Sequence, residues 1–254
     1  MTAPMLARCV TTLLVAGLAA CAEAVLIDDF TQTDDPSIYP KTQFALEPLE
    51  IVADPAANVF GGVRGFALLP QTLTVPVPAT VAMTTDLDTT AGELTTTASS
   101  DAAFQFALFW SSDDIDTPVG FDLTPFNRFV IEYSANAAME IEVVLSNVAP
   151  GSTAPVAGLQ RTLALPAATD GIYEIALMDI NELVPDVLGT PIGGPTVFFP
   201  SLDPTSLDGI SFIISSATPG ASLTLSSVQL IPEPVILGPL AVVTLMTVRP
   251  RSHR

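Results

Sequence analysis

Histidine and cysteine are almost missing from this sequence, and their positions decide what chemistry is left. The one histidine, His253, is the penultimate residue, and both cysteines, Cys9 and Cys21, fall in the first 21 residues. Between Val25 and Ile231 there is no imidazole and no thiol, and Lys41 is the single lysine. Ser-His-Asp and Cys-His nucleophile systems need an imidazole to take up the proton, so this segment excludes them. It equally excludes zinc held by His or Cys and any internal disulfide. Stability must come from a buried core, for which a hydrophobic content of 49% is ample.

Bases are scarce too. Eight Lys and Arg face 27 Asp and Glu, for a net charge of −19. A nucleic-acid binder needs a basic face to meet phosphate, and an anionic membrane surface needs the same. Both are disfavoured as partners. The acidic balance serves solubility, with attraction of cations such as Ca²⁺ as the other reading. Also absent are a phosphate-cradling glycine loop, a repeat at solenoid or propeller period, and a dozen-residue amphipathic helix. Gly61-Gly62 reads instead as a turn entering a strand.

The first 24 residues, MTAPMLARCVTTLLVAGLAACAEA, carry Arg8, an apolar run to Ala20 and the small-x-small ending Ala22-Glu23-Ala24. This pattern is that of a secretory signal peptide cleaved after Ala24, and the run is short for a membrane span. A second reading is lipidation: Leu18-Ala19-Ala20-Cys21 resembles a bacterial lipobox, which would make Cys21 the modified N-terminus.

From Val25 to Leu230 the chain is a series of short apolar runs broken by Pro, Gly, Asp, Asn and Ser. In AFQFALFW, Phe104, Phe106, Leu108 and Trp110 share one face with period two. In AMEIEVVLS, Met139, Ile141, Val143 and Leu145 do the same, with Glu140 and Glu142 opposite. FVIEY, GIYEIAL, TVFF and GISFII are further strands, and MDINELV is one or two helical turns before Pro185. Many alternating strands at short spacing predict an all-β fold, a single antiparallel β-sandwich over residues 25–230. The Thr-rich stretch from Thr84 to Ser100 reads as a hairpin turning at Ala91-Gly92. In SLTLSSVQL, Leu223 and Leu225 are out of phase with Val228 and Leu230, so a β-bulge at Ser226-Ser227 is needed to bury both pairs.

The last 24 residues hold Pro232-Glu233-Pro234, an apolar run from Val235 to Val248, and Arg249, Arg251 and Arg254. As a helix the run would be about 21 Å long against a hydrocarbon core of about 30 Å, and Pro239 weakens it. A buried C-terminal strand is the competing reading. Against it, the run follows the last core strand, is preceded by prolines that cannot continue a ladder, and ends in cations that would stay cytoplasmic. These three parts in this order resemble the PEP-CTERM sorting signal. The resemblance implies an exported protein and a short C-terminal sorting helix at 231–254. It also implies cutting at Pro-Glu-Pro by a membrane transpeptidase of the exosortase type. The membrane would be met only transiently, through Val235–Val248. Delivery would be to the cell surface or matrix, among exopolysaccharide.

VLIDDF, GGVRGF and LDGISFIISSATPGASLTLSSVQL resemble secreted jelly-roll β-proteins that are similar to galactose-binding-like carbohydrate modules. That resemblance implies a structural Ca²⁺ held by first-strand acids, matched here by Asp28 and Asp29, with Ser226 and Ser227 where the last-strand acid would stand. Asp113, Asp114 and Asp116 form a second oxygen-rich run, lacking EF-hand spacing. The protein is thus expected to be non-catalytic. One alternative is a carbohydrate-binding module, which calls for an exposed aromatic pair, Trp110 being a stacking candidate as well as a core residue. The other is a glycoside hydrolase using Glu140 and Glu142, about 7 Å apart on one strand face.

Overall fold

In this computed structural model the described residues are 23–56, 58–71, 76–112, 119–148, 155–180, 182–183 and 202–232. They form two antiparallel sheets and almost no helix. The first sheet contains β1 (Val25–Asp28), β2 (Lys41–Phe44), β5 (Ala82–Asp88), β6 (Glu93–Ala98), β8 (Phe126–Ala135), β11 (Ala168–Ala176) and β14 (Ser222–Pro232). Its order is β11-β8-β14-β6-β5-β2, with β1 paired to β14. The second contains β3 (Ile51–Pro55), β4 (Gly62–Leu68), β7 (Phe104–Ser112), β9 (Met139–Val148), β10 (Pro155–Leu165), β12 (Glu182–Leu183) and β13 (Gly209–Ser216), in the order β12-β10-β9-β13-β7-β4-β3. The sequence reading of an all-β sandwich holds.

The period-two faces go where alternation sends them. Phe104, Phe106, Leu108 and Trp110 are buried, as are Met139, Ile141, Val143 and Leu145. Phe129, Ile131 and Tyr133 of β8 meet them from the other sheet, and Phe212 packs edge-on against both Trp110 and Phe129, at 5.2 and 5.7 Å between ring centroids. Trp110 is therefore core, not a stacking surface.

The Thr-rich hairpin is β5–β6, turning through Gly92 at φ 68°, a left-handed conformation that glycine adopts without strain. The expected bulge is present as well: pairing of β14 with β8 shifts between Leu225 and Ser227. One extra residue there restores Leu223, Leu225, Val228 and Leu230 to the core together. Gly61 and Gly62 lead into β4 as a turn.

Two expectations are corrected. The MDINELV segment is not a helix of one or two α-turns. It holds part of a single 3-10 turn, Leu177–Asp179, and then β12, a two-residue strand. The sandwich does not stop at Leu230 either, because β14 continues to Pro232, pairing Ile231 with Arg128 and Pro232 with Phe126. TVFF lies outside the described residues. So do nearly all of the 1–24 segment, the tail from Glu233 to Arg254, and Asp113, Asp114 and Asp116.

β1 and β14 are antiparallel, Val25 opposite Leu230. The chain therefore enters and leaves the sandwich side by side, at one end. Among the described residues no helix is long and apolar enough to cross a membrane.

Candidate functional site

Arg64 is the residue that sequence reading overlooked. On β4 it is in phase with Phe66 and Leu68, all three facing inward, and it is fully buried. Its register neighbours are Asp54 on β3 and Trp110 on β7. From the other sheet comes Asp28, at the end of β1. Arg64 Nη1 donates to both Asp28 oxygens at 3.0 Å. Arg64 Nε donates to Asp54 Oδ2 at 3.2 Å, and Nη2 donates to the same oxygen and to the Gln32 carbonyl. Each guanidinium nitrogen thereby has an acceptor.

The carboxylates are completed by neighbours. Trp110 Nε1 and the Phe30 amide donate to Asp28 at 2.9 and 2.8 Å. Thr33 and Tyr39 hydroxyls donate to Asp54 at 2.6 and 2.9 Å. The Phe30 ring lies 5.5 Å from the guanidinium carbon. Burial pushes the Asp28 carboxyl above its ordinary range, outweighing Arg64, Trp110 and the Phe30 amide, which pull it down. Burial also raises the Tyr39 phenol, with Asp54 adding to the shift. Arg64 is raised although burial opposes it, because Asp28, Tyr39 and Asp54 surround it with acceptors. Arg64, Asp28, Asp54 and Trp110 at the centre of this cluster are all buried. The cluster pins the two sheets together at the end where the chain enters and leaves.

The first-strand Ca²⁺ reading is corrected here at Asp28, whose cation is Arg64. Asp29 accepts from the Thr31 amide and hydroxyl, closing a local turn. Ser227 is buried and Ser226 half-buried at the bulge. Among the described residues no three Asp, Glu, His or Cys side chains gather as a metal site requires.

Glu140 and Glu142 lie on the outer face of β9, exposed and half-buried. Their cross-strand neighbours are Ser215 and Ala164 for Glu140, and Ile213 and Thr162 for Glu142. They line a solvent face rather than opposite walls of a cleft, so the geometry a glycosidase pair needs is missing at this place. On the same outer face Phe109 covers Gly65, whose missing side chain leaves the space the ring occupies. An open hollow of about 530 Å³, lined by Phe126, Asn127, Arg128, Glu174, Ala176, Leu177 and Met178, sits where β14 ends. The Arg128–Glu174 ion pair, at 3.3 Å, spans part of its lining.

Part of the outer face of the first sheet is rich in hydroxyls. Strand registers align Thr42, Thr84, Thr97 and Ser222 in one row across β2, β5, β6 and β14. A second row holds Asp86, Thr95, Thr224 and Ser134 across β5, β6, β14 and β8. Hydroxyls bond within the rows: Thr42 to Thr84 at 2.9 Å, Thr97 to Ser222 at 3.1 Å and Thr95 to Thr224 at 2.9 Å. Neighbouring hydroxyl positions stand about 4.8 Å apart across strands and about 7 Å apart along them. Next to the first row, on the edge strand β2, the Phe44 ring is 41% exposed beside the small residue Ala82. A polar lattice with an aromatic ring at its margin can stack a ring and hydrogen-bond its substituents.

No protein-family model matches the chain, and no curated protein matches it. Among solved structures, it is similar to the family 11 carbohydrate-binding module from Clostridium thermocellum in complex with a β-1,3-1,4-mixed-linked tetrasaccharide. That match is 12% identical, covers 84% of this chain and 98% of that one, and has a TM-score of 0.43. The family 11 module of a cellulosomal cellulase of Clostridium thermocellum is also 12% identical, with 84% and 96% covered and a TM-score of 0.42. An exo-β-agarase is 12% identical over 82% of this chain but 25% of its own, with a TM-score of 0.39.

Proposed function

We propose that this chain is an exported, non-catalytic β-sandwich carried to the cell surface or extracellular matrix by a Pro232-Glu233-Pro234 sorting signal. It works there among exopolysaccharide. The observation that supports this reading is the pairing of β1 with β14. Val25, the expected first residue after signal cleavage, is paired with Leu230, two residues before the sorting motif. The core is thus bracketed by the two signals and borrows no buried residue from either among those described. Removal of the leader and of the tail beyond Pro232 would leave every described strand in place. Leaving together at one end, the two segments would hold a precursor to the membrane by that end, with the exosortase-type transpeptidase cutting beside it.

The non-catalytic part rests on inventory and geometry. Imidazole and thiol are missing from Val25 to Ile231, and Glu140 and Glu142 share the outer face of one strand. The test is replacement of Pro232, Glu233 and Pro234 by alanine in the producing bacterium. The full-length chain should then accumulate in the membrane fraction and be lost from the surface and medium. Unchanged release would reject the sorting motif.

A further inference from the structure

We infer that the outer face of the first sheet, with Phe44 at its margin, binds a neutral polysaccharide. The inference deepens the exopolysaccharide association proposed above and names its site. A pyranose ring offers a C–H face to an aromatic side chain and a fringe of hydroxyls that both donate and accept. Phe44 supplies the first partner and the threonine and serine rows supply the second, since within each bonded pair the donating hydroxyl keeps acceptor lone pairs and the accepting hydroxyl keeps its proton to donate. Threonine hydroxyls held in pairs by cross-strand bonds are already ordered, so little freedom is lost on binding.

Charge selects the class of polymer. Neither row carries Lys or Arg, Asp86 is the one charged residue in them, and the protein as a whole is at −19. An anionic polysaccharide laid along the rows would meet repulsion with no compensating Lys or Arg in either row. A neutral chain would not. The repeat matters as well, because a lattice of equivalent hydroxyls across four strands can contact successive residues of one polymer, so that weak contacts add.

The test uses the purified exported protein and three insoluble or gelling neutral polymers, cellulose, curdlan and agarose, with alginate as the acidic control. Retention on at least one neutral polymer is expected, with less on alginate. Phe44→Ala should weaken retention about tenfold, the loss of one aromatic contact. Thr97→Val combined with Thr224→Val, which keeps shape and removes hydroxyls, should weaken it by a similar factor, with the unfolding midpoint unchanged. Glu140→Gln, on the opposite sheet, should change nothing. Three results would overturn the inference: no retention on any of the neutral polymers, retention indifferent to both variants, or stronger retention on alginate. Because the assay runs on purified protein, these outcomes stand apart from failure of the sorting motif, which is read in cells.

Discussion

Arg64 and Asp28 face each other across the interior, one from each sheet, with Nη1 3.0 Å from both carboxylate oxygens and neither side chain meaningfully exposed. Taking such charges out of water is costly, and only complete hydrogen bonding offsets it. The three nitrogens of one guanidinium, each with an acceptor, and two carboxylates completed by Trp110, Phe30, Thr33 and Tyr39 go far toward that condition. The cluster gathers β1, β3, β4, β7 and the β1–β2 connection at one end of the sandwich.

Arg64→Met should therefore lower stability by about 3–5 kcal/mol, because Asp28 and Asp54 are left buried without a counter-charge. Adding Asp28→Leu and Asp54→Leu should restore much of the loss, since an apolar replacement removes the uncompensated charges. Urea unfolding of the three proteins decides it. A loss below about 1 kcal/mol for Arg64→Met would show that water reaches the site.

The protein has three tyrosines, Tyr39, Tyr133 and Tyr173, and burial raises the phenol of each. A phenol whose folded pKa lies above its unfolded value of about 10 contributes stability that is complete below pH 10. That contribution is lost as pH rises through the folded pKa. Ultraviolet titration should give less tyrosinate at pH 10 in the native than in the urea-unfolded protein, with Tyr39 ionising last. Half-ionisation near pH 10 in folded protein would contradict this burial.

Deleting Ser226 removes the extra residue of the β14 bulge. Parity then puts either Leu223 and Leu225 or Val228 and Leu230 on the solvent face. Two leucine-sized side chains lose burial at about 1.5–3 kcal/mol each, a large part of the stability of an ordinary domain. The variant should fail to give a cooperative unfolding transition, whereas Ser226→Ala should unfold close to the parent. Equal midpoints would mean that the bulge does not set the register.

Much of the sandwich was legible in sequence because alternation is a direct record of which face is buried. Phe104 to Trp110 and Met139 to Leu145 are plain cases, and the phase slip in SLTLSSVQL marks the bulge. The buried cluster was harder. Arg64 and Asp54 carry the right phase, with Phe66 and with Val52, but a charged residue is read as exposed by default. Only its partner in the other sheet makes burial tolerable, and long-range pairing is not written in local pattern. Asp28 was misread for the same reason: an acid on the first strand signals a cation, and the cation came from this chain's own Arg64. The hydroxyl face was hidden differently. Thr42, Thr84, Thr97 and Ser222 lie far apart in sequence and meet only through strand order.

Truncation after Pro232 should leave the unfolding midpoint within experimental error of the exported protein. Truncation after Leu230 should lower it modestly, because it removes the Ile231–Arg128 and Pro232–Phe126 pairs. Failure of the Pro232 truncation to fold would mean that part of the tail is a core strand.

The most direct measurement of the whole account is the intact mass of the protein recovered from the cell surface or medium. The account predicts a chain that starts at Val25 and ends within Pro232-Glu233-Pro234, with any added mass at the new C-terminus only. A chain that keeps its tail through Arg254, or one that begins at a lipid-bearing Cys21, would contradict it.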